Sequence, residues 1–256
     1  LKASVFESAA AGDAEKVETD TLSWRLRLAR RHIYMKAVYL RSLLRSRVDP
    51  RPVVHVMGDS HVGIFLKKKP FVAHWFGPAT AYRLKSPTST TGSNRRLLRV
   101  LRHVVREKDK VLLVFGEIDC RVHIYNQHVR SGGALSLQDV VDDTVSSYGV
   151  VLDRMDRMGT DFYVASVPPA AEEGNIFGVP NYPPIAVRSI INRVFNERLS
   201  DYCADHGYRF VDVYSRVVDS EGFIRSEFSC DDGTHLKPEA IRFFREGLGL
   251  REVDRA

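Results

Sequence analysis

An α/β fold is predicted by three features of this 256-residue sequence. Short β-branched runs alternate with segments whose apolar residues recur every three or four positions. That alternation reads as parallel strands joined by helices covering both faces of one sheet. The first run, Val53 to Met57, stops at Gly58-Asp59-Ser60, and the last helix is preceded by Asp232-Gly233-Thr234-His235. In an open parallel sheet the segments after each strand gather at one rim, where ligands bind, so these two polar stretches are expected to meet.

Each element has its own signal. Residues 1–50 read as a lead-in followed by a basic amphipathic helix, and residues 51–256 as the α/β domain. In the helix Leu22, Leu26, Ala29, Ile33, Ala37, Leu40 and Leu44 form one stripe. Asp20 or Thr21 is placed to cap it, and Asp49-Pro50-Arg51-Pro52 stops it, because a residue before proline avoids helical geometry. The first strand follows, then a short helix near Val62 to Leu66. A second strand, Phe71 to Phe76, ends at Gly77-Pro78. Asn94 is placed to cap a helix carrying Leu97, Leu98, Leu101, Val104 and Val105. The third strand, Val111 to Phe115, runs into the polar stretch Gly116 to His123. Ser136 and Asp139 form a capping box for a helix with Val141, Val145, Leu152 and Met155 on one face. Pro168-Pro169 halts the fourth strand, Phe162 to Val167, and 170–184 reads as a surface loop beside the site. Val187, Ile191, Phe195 and Leu199 mark the next helix. Tyr208 to Val213 is the fifth strand, and Pro238 suits the first turn of the last helix.

Composition narrows the function classes. A hydrophobic share of 44% with 27% charged residues is that of an ordinary globular chain, and no run approaches the roughly 18 apolar residues that span a bilayer. Residues 1–20 lack a basic-then-apolar leader, and Cys120, Cys203 and Cys230 make no disulfide framework, so a cytoplasmic setting is expected. Much of the +6 charge lies in the N-terminal helix, between Arg25 and Arg47. This fits a solvated helix face or an anionic partner such as an acidic glycan. Without interleaved aromatics or a recognition motif, no nucleic-acid partner is expected.

The order Ser60, Asp232, His235 supplies a nucleophile, a carboxylate and a base. A serine hydroxyl needs an adjacent base to attack, and the imidazole needs a carboxylate to fix its tautomer. On Gly58-Asp59-Ser60-His61 and Asp232-Gly233-Thr234-His235-Leu236 the sequence resembles the SGNH/GDSL hydrolases and acyltransferases over about Pro52 to Leu248. The resemblance implies a flavodoxin-like αβα sandwich with a five-stranded parallel sheet. It also implies Ser60 as nucleophile, His235 as general base and then acid, and Asp232 as its partner. Gly77 would give an oxyanion N–H beside that of Ser60. No cofactor or metal is implied, and the implied reaction is ester hydrolysis or O-acyl transfer on small or glycan esters.

One departure stands out. The family's Gly-x-Asn-Asp is Gly116-Glu117-Ile118-Asp119 here, so an isoleucine replaces the third oxyanion donor. Losing such a donor typically costs about 10²- to 10³-fold in turnover. Arg121 and His123 are the nearest candidate replacements or substrate-binding groups, with Glu117 and Asp119 expected to hold them. The same cluster read blandly is a structural ion-pair network. Two other readings compete. Asp59-x-His61 is similar to the opening metal motif of calcineurin-like phosphoesterases, though half of the two-metal ligand set is missing. An SGNH-like glycan-binding domain without activity would account for Ile118 but has no need of the three triad residues.

Overall fold

The computed structural model describes residues 33, 37–44, 46–171, 181–230 and 232–250. Contacts divide the chain into two units, Leu1–Val48 and Asp49–Ala256. In the first, residues 37–44 and 46–48 are helical (α1), with Leu40 and Leu44 exposed. The expected cap at Asp20 or Thr21, and most of the helix between Leu22 and Lys36, lie outside the described residues.

The second unit is built on five parallel strands in the order β2-β1-β3-β4-β5. They are β1 (Val54–Gly58), β2 (Phe71–Trp75), β3 (Lys110–Val114), β4 (Phe162–Ala165) and β5 (Arg209–Val211). All five overlap the expected runs: β1 and β3 are each shifted by one residue, β2 ends one residue early, β4 two, and β5 is shorter by three. Successive side chains on a strand point to opposite faces, and here the faces carry separate cores. Met57, Val111, Leu113, Phe162 and Val164 pack with α3 (Ser93–His103), α5 (Leu137–Arg157) and α6 (Ile185–Asp205). Val54, Val56, Leu112, Val114, Tyr163 and Ala165 pack on the other side with a 3-10 turn (Ser60–Phe65), α7 (Tyr214–Val217) and α8 (Ile241–Gly247). Burial on both faces explains why the strands read as near-continuous apolar runs. His55 and His74 are buried exceptions: His55 Nδ1 lies 2.9 Å from His74 Nε2 and its Nε2 lies 3.4 Å from Asp109 Oδ2.

Local chemistry sets the boundaries. Gly58 is required where β1 meets β3, because a Cβ there would stand 2.1 Å from the Val114 carbonyl oxygen. Ser136 and Asp139 form the expected capping box on α5. Asn94 does not cap α3. Gly92, with φ +61°, holds that position, and the Asn94 amide instead donates to the Leu84 carbonyl at 2.7 Å, closing the end of α2 (Ala81–Leu84). Sequence patterning also missed α2, a π turn (Asp119–His123) and α4 (Ile124–Arg130). All three are too brief for a repeating amphipathic pattern to show.

Candidate active site

Strand register puts the site together. Gly58 is paired with Trp75 of β2 and Val114 of β3, so Ser60, Gly77 and Gly116 each lie two residues beyond one aligned row. Asp59 caps the 3-10 turn, accepting the His61 amide at 2.9 Å, and this turn presents Ser60 at its first position. Gly77 has φ +72°, a left-handed conformation that favours glycine, with open space where a side chain would be.

The loop after Cys230 brings the rest. His235 Nε2 is 2.7 Å from Ser60 Oγ, across 175 residues of sequence. His235 Nδ1 is 2.7 Å from Asp232 Oδ2, and Asp232 Oδ1 accepts the amides of Thr234 and His235 at 3.0 and 2.9 Å. The same carboxylate therefore folds the loop and orients the ring. Burial pulls the Asp232 carboxyl upward, but these hydrogen bonds outweigh it and leave it below its ordinary range. Burial and the neighbouring His61 ring lower the His235 pKa, which keeps the ring neutral and able to take a proton from Ser60.

His61, the residue after Ser60, is engaged at both ring nitrogens. Its Nδ1 faces Asp59 Oδ1 at 2.9 Å and its Nε2 faces the Thr234 carbonyl at 3.0 Å. A carbonyl can only accept, so Nε2 carries a proton, and the raised pKa of the ring favours a second one on Nδ1, making it an imidazolium. Burial opposes that charge, yet Asp59, Glu117 and the Thr234 carbonyl raise the pKa to about 9. The ring lies 4.7 Å from that of His235, centroid to centroid.

The polar run after β3 divides into two groups. Glu117 pairs with Arg121, Oε1 to Nε at 2.6 Å, as expected. Asp119 does not hold His123. Fully buried, it accepts the Ala81 and Tyr82 amides at 2.6 and 3.3 Å, tying the end of β3 to the positive end of α2. Burial lifts its pKa to about 7. His123 is exposed at the end of the π turn, and no hydrogen bond joins it to Ser60, Asp232 or His235 among the described residues. Arg121 and Glu117 line a narrow cavity together with Gly233 and Thr234 of the triad loop.

The same cavity holds two groups the sequence reading passed over, Arg188 and Asn192 of α6. They belong to a buried polar row, Arg188, Asn192 and Asn196, at the four-residue spacing of one helix face. Asn196 bonds both the N–H and the carbonyl of Val167, and Asn192 donates to the Pro168 carbonyl at 2.7 Å, holding the turn after β4 in place. Polar residues at i, i+4 and i+8 inside an apolar stripe were the available signal. Ligand atoms of Asp59, His61 and Glu117 also lie within 4.8 Å of one another, close enough for a cation.

No protein-family model and no curated protein matches the sequence. Solved structures do match. A GDSL-like lipase from Bacteroides thetaiotaomicron superposes with a TM-score of 0.52 at 18% identity, over 82% of this chain and 95% of that one. The fold is that of the SGNH/GDSL hydrolases. A protein assigned as an acylhydrolase from Bacteroides fragilis gives 0.53 at 18% identity, covering 82% of this chain and 93% of that one. A Streptococcus pneumonia protein described as a platelet activating factor gives 0.54 at 15% identity, covering 89% of this chain and 97% of that one. Among the described residues, no helix of this SGNH-fold chain is long and apolar enough to cross a membrane.

Proposed function

We propose that the chain is a serine-dependent acyl-ester hydrolase or O-acyltransferase whose substrates are O-acylated carbohydrates. The observation behind this reading is the chain of contacts from Ser60 Oγ through His235 to Asp232, at 2.7 Å each. Ser60 attacks the ester carbonyl while His235 Nε2 takes its proton. Asp232 steadies the imidazolium that forms. The amides of Ser60 and Gly77 receive the oxyanion, and Arg121 adds a cationic group in the adjoining cavity. His235 then returns its proton to the departing alkoxide, leaving an acyl-enzyme that water or a sugar hydroxyl resolves. Residues 51–256 carry this chemistry, and likeness in fold to proteins named as acylhydrolase and GDSL-like lipase supports it.

The test is hydrolysis of an aryl acetate. Turnover that survives chelator and is lost in Ser60→Ala is the expected result. Glycan binding without any turnover, unchanged in Ser60→Ala, would point to a binding domain instead.

A metal-dependent phosphoesterase has one observation in its favour, the Asp59, His61 and Glu117 cluster. Against it, both ring nitrogens of His61 are already engaged, and coordination would require one of them to surrender a proton. Chelator-sensitive hydrolysis of an aryl phosphate is the result that would favour this reading.

A further inference from the structure

Basic residues are not spread evenly over the α/β unit. Between Ser60 and Arg106 there are ten Lys and Arg and not one Asp or Glu, although the whole chain holds 32 acidic residues. This stretch builds the 3-10 turn, the edge strand β2, α2 and α3, so positive charge collects on the β2 side of the sheet. The arrangement is most regular on α3. Leu97, Val100 and Leu101 are buried in the core, whereas Arg95, Arg99 and Arg102 are exposed at the i, i+4, i+7 spacing of one helix face. These three guanidiniums form a row about 10 Å long. Like charges at that spacing weaken a helix, so the row does not serve α3 itself.

The row begins at the catalytic rim. Arg96, in the first turn of α3, donates to the Trp75 carbonyl at 2.6 Å and lies over the Phe76 ring. Trp75 ends β2, two residues before Gly77. From there α3 runs back toward the start of β3, which puts Arg95 at the rim end of the helix and Arg102 at the far end.

An open row of guanidinium forks suits a partner that repeats its negative charge along a chain. The surroundings decide which kind of partner. A membrane-surface helix buries apolar side chains beside its basic ones, but no large apolar residue between Ser60 and Arg106, all of them described residues, is exposed. Single-stranded nucleic acid stacks its bases on aromatic rings, and the Phe, Trp and Tyr residues of this stretch are buried or half-buried. A polysaccharide needs neither feature. We propose that Arg95, Arg99 and Arg102 bind an acidic polysaccharide and hold it where its O-acyl groups reach Ser60. Presentation of the ester rests on the function proposed above, whereas binding of the polymer does not.

The test is binding of a size-defined oligogalacturonate to the Ser60→Ala protein, compared with the fully methyl-esterified neutral oligomer, poly(U) RNA and phosphatidylglycerol vesicles. The acidic oligomer is expected to bind about tenfold or more tightly than the neutral one, a preference that weakens with added salt. Replacing Arg95, Arg99 and Arg102 together by Gln is expected to abolish the preference, and replacing them by Lys to retain part of it. The exposed Arg130, Arg154 and Arg157, replaced together by Gln, remove the same charge from elsewhere and are expected to leave it intact. With the O-acetylated acidic oligomer as substrate and Ser60 restored, the α3 glutamine variant is expected to raise KM about tenfold with kcat unchanged. Its turnover of an aryl acetate should equal that of the wild type. Equal binding of the acidic and neutral oligomers would overturn the proposal, as would equal losses in the two glutamine variants, or tighter binding of RNA or vesicles. Aryl acetate hydrolysis without the acidic preference removes the surface alone. The acidic preference without Ser60-dependent hydrolysis upholds the surface and removes the esterase.

Discussion

At the scale of single residues, the distinctive feature is a charged histidine beside a neutral one. His61 is held as an imidazolium by Asp59 and the Thr234 carbonyl, and it lies against His235, whose pKa is lowered first by burial and then by that neighbour. On the proposed mechanism neutral His235 is the active form, so the acid limb of kcat/KM for an aryl acetate should lie below the ordinary histidine pKa of 6.5. His61→Gln removes the neighbouring charge and should move that limb upward. A limb that stays in place would show that the two rings do not communicate. The triad residues themselves make steeper predictions. Ser60→Ala should lower turnover by about 10³-fold or more, and Asp232→Asn by about 10²- to 10⁴-fold, measured with the same ester. That these three side chains would meet was readable in the sequence because their chemistry is unusual in combination. The burial of Arg188 was not, since an arginine near a helix start looks like a solvated one until the neighbours close over it.

Elements position these residues by register and capping. Ser60, Gly77 and Gly116 share one level because Gly58 is locked between Trp75 and Val114. Gly58→Ala would drive a Cβ into the Val114 carbonyl, with a loss of about 3 kcal/mol expected from denaturant unfolding. The capping box at Ser136 and Asp139 lies on an exposed helix end. Ser136→Ala should therefore cost about 1 kcal/mol while leaving ester turnover unchanged. All five strands and the three long helices were legible, because their apolar periods run for long enough to distinguish strand from helix. The role of Asn94 was misread. Asparagine before an apolar stripe is the usual sign of a helix start, but here its amide is recruited by the carbonyls that end α2. Asp119 was misplaced for a similar reason: its partners are backbone amides of Ala81 and Tyr82, nearly forty residues away, which no local pattern announces.

The whole molecule shows the same chemistry in its stability. The His61 pKa rises on folding from 6.5 to about 9. A group whose pKa is raised in the folded state contributes fully below its unfolded pKa, and its contribution disappears as pH climbs through the folded value. The protein should thus lose on the order of 3 kcal/mol of stability between about pH 6.5 and pH 9 from this ring alone. Urea midpoints across that range would detect it, and His61→Gln should flatten the slope. The sheet with helices on both faces was predictable from alternation, and the likeness to GDSL-type structures agrees with it. What no one-dimensional pattern carries is the convergence of α6, the turn after β4 and the triad loop around one charged cavity. The central claim, that the Ser60 hydroxyl is an activated nucleophile, is tested most directly by treating the protein with a serine-reactive fluorophosphonate and mapping the adduct by mass spectrometry. A single adduct on Ser60, absent from Ser60→Ala, is the predicted result. An unlabelled protein, or an adduct on another residue with Ser60 unmodified, would contradict it.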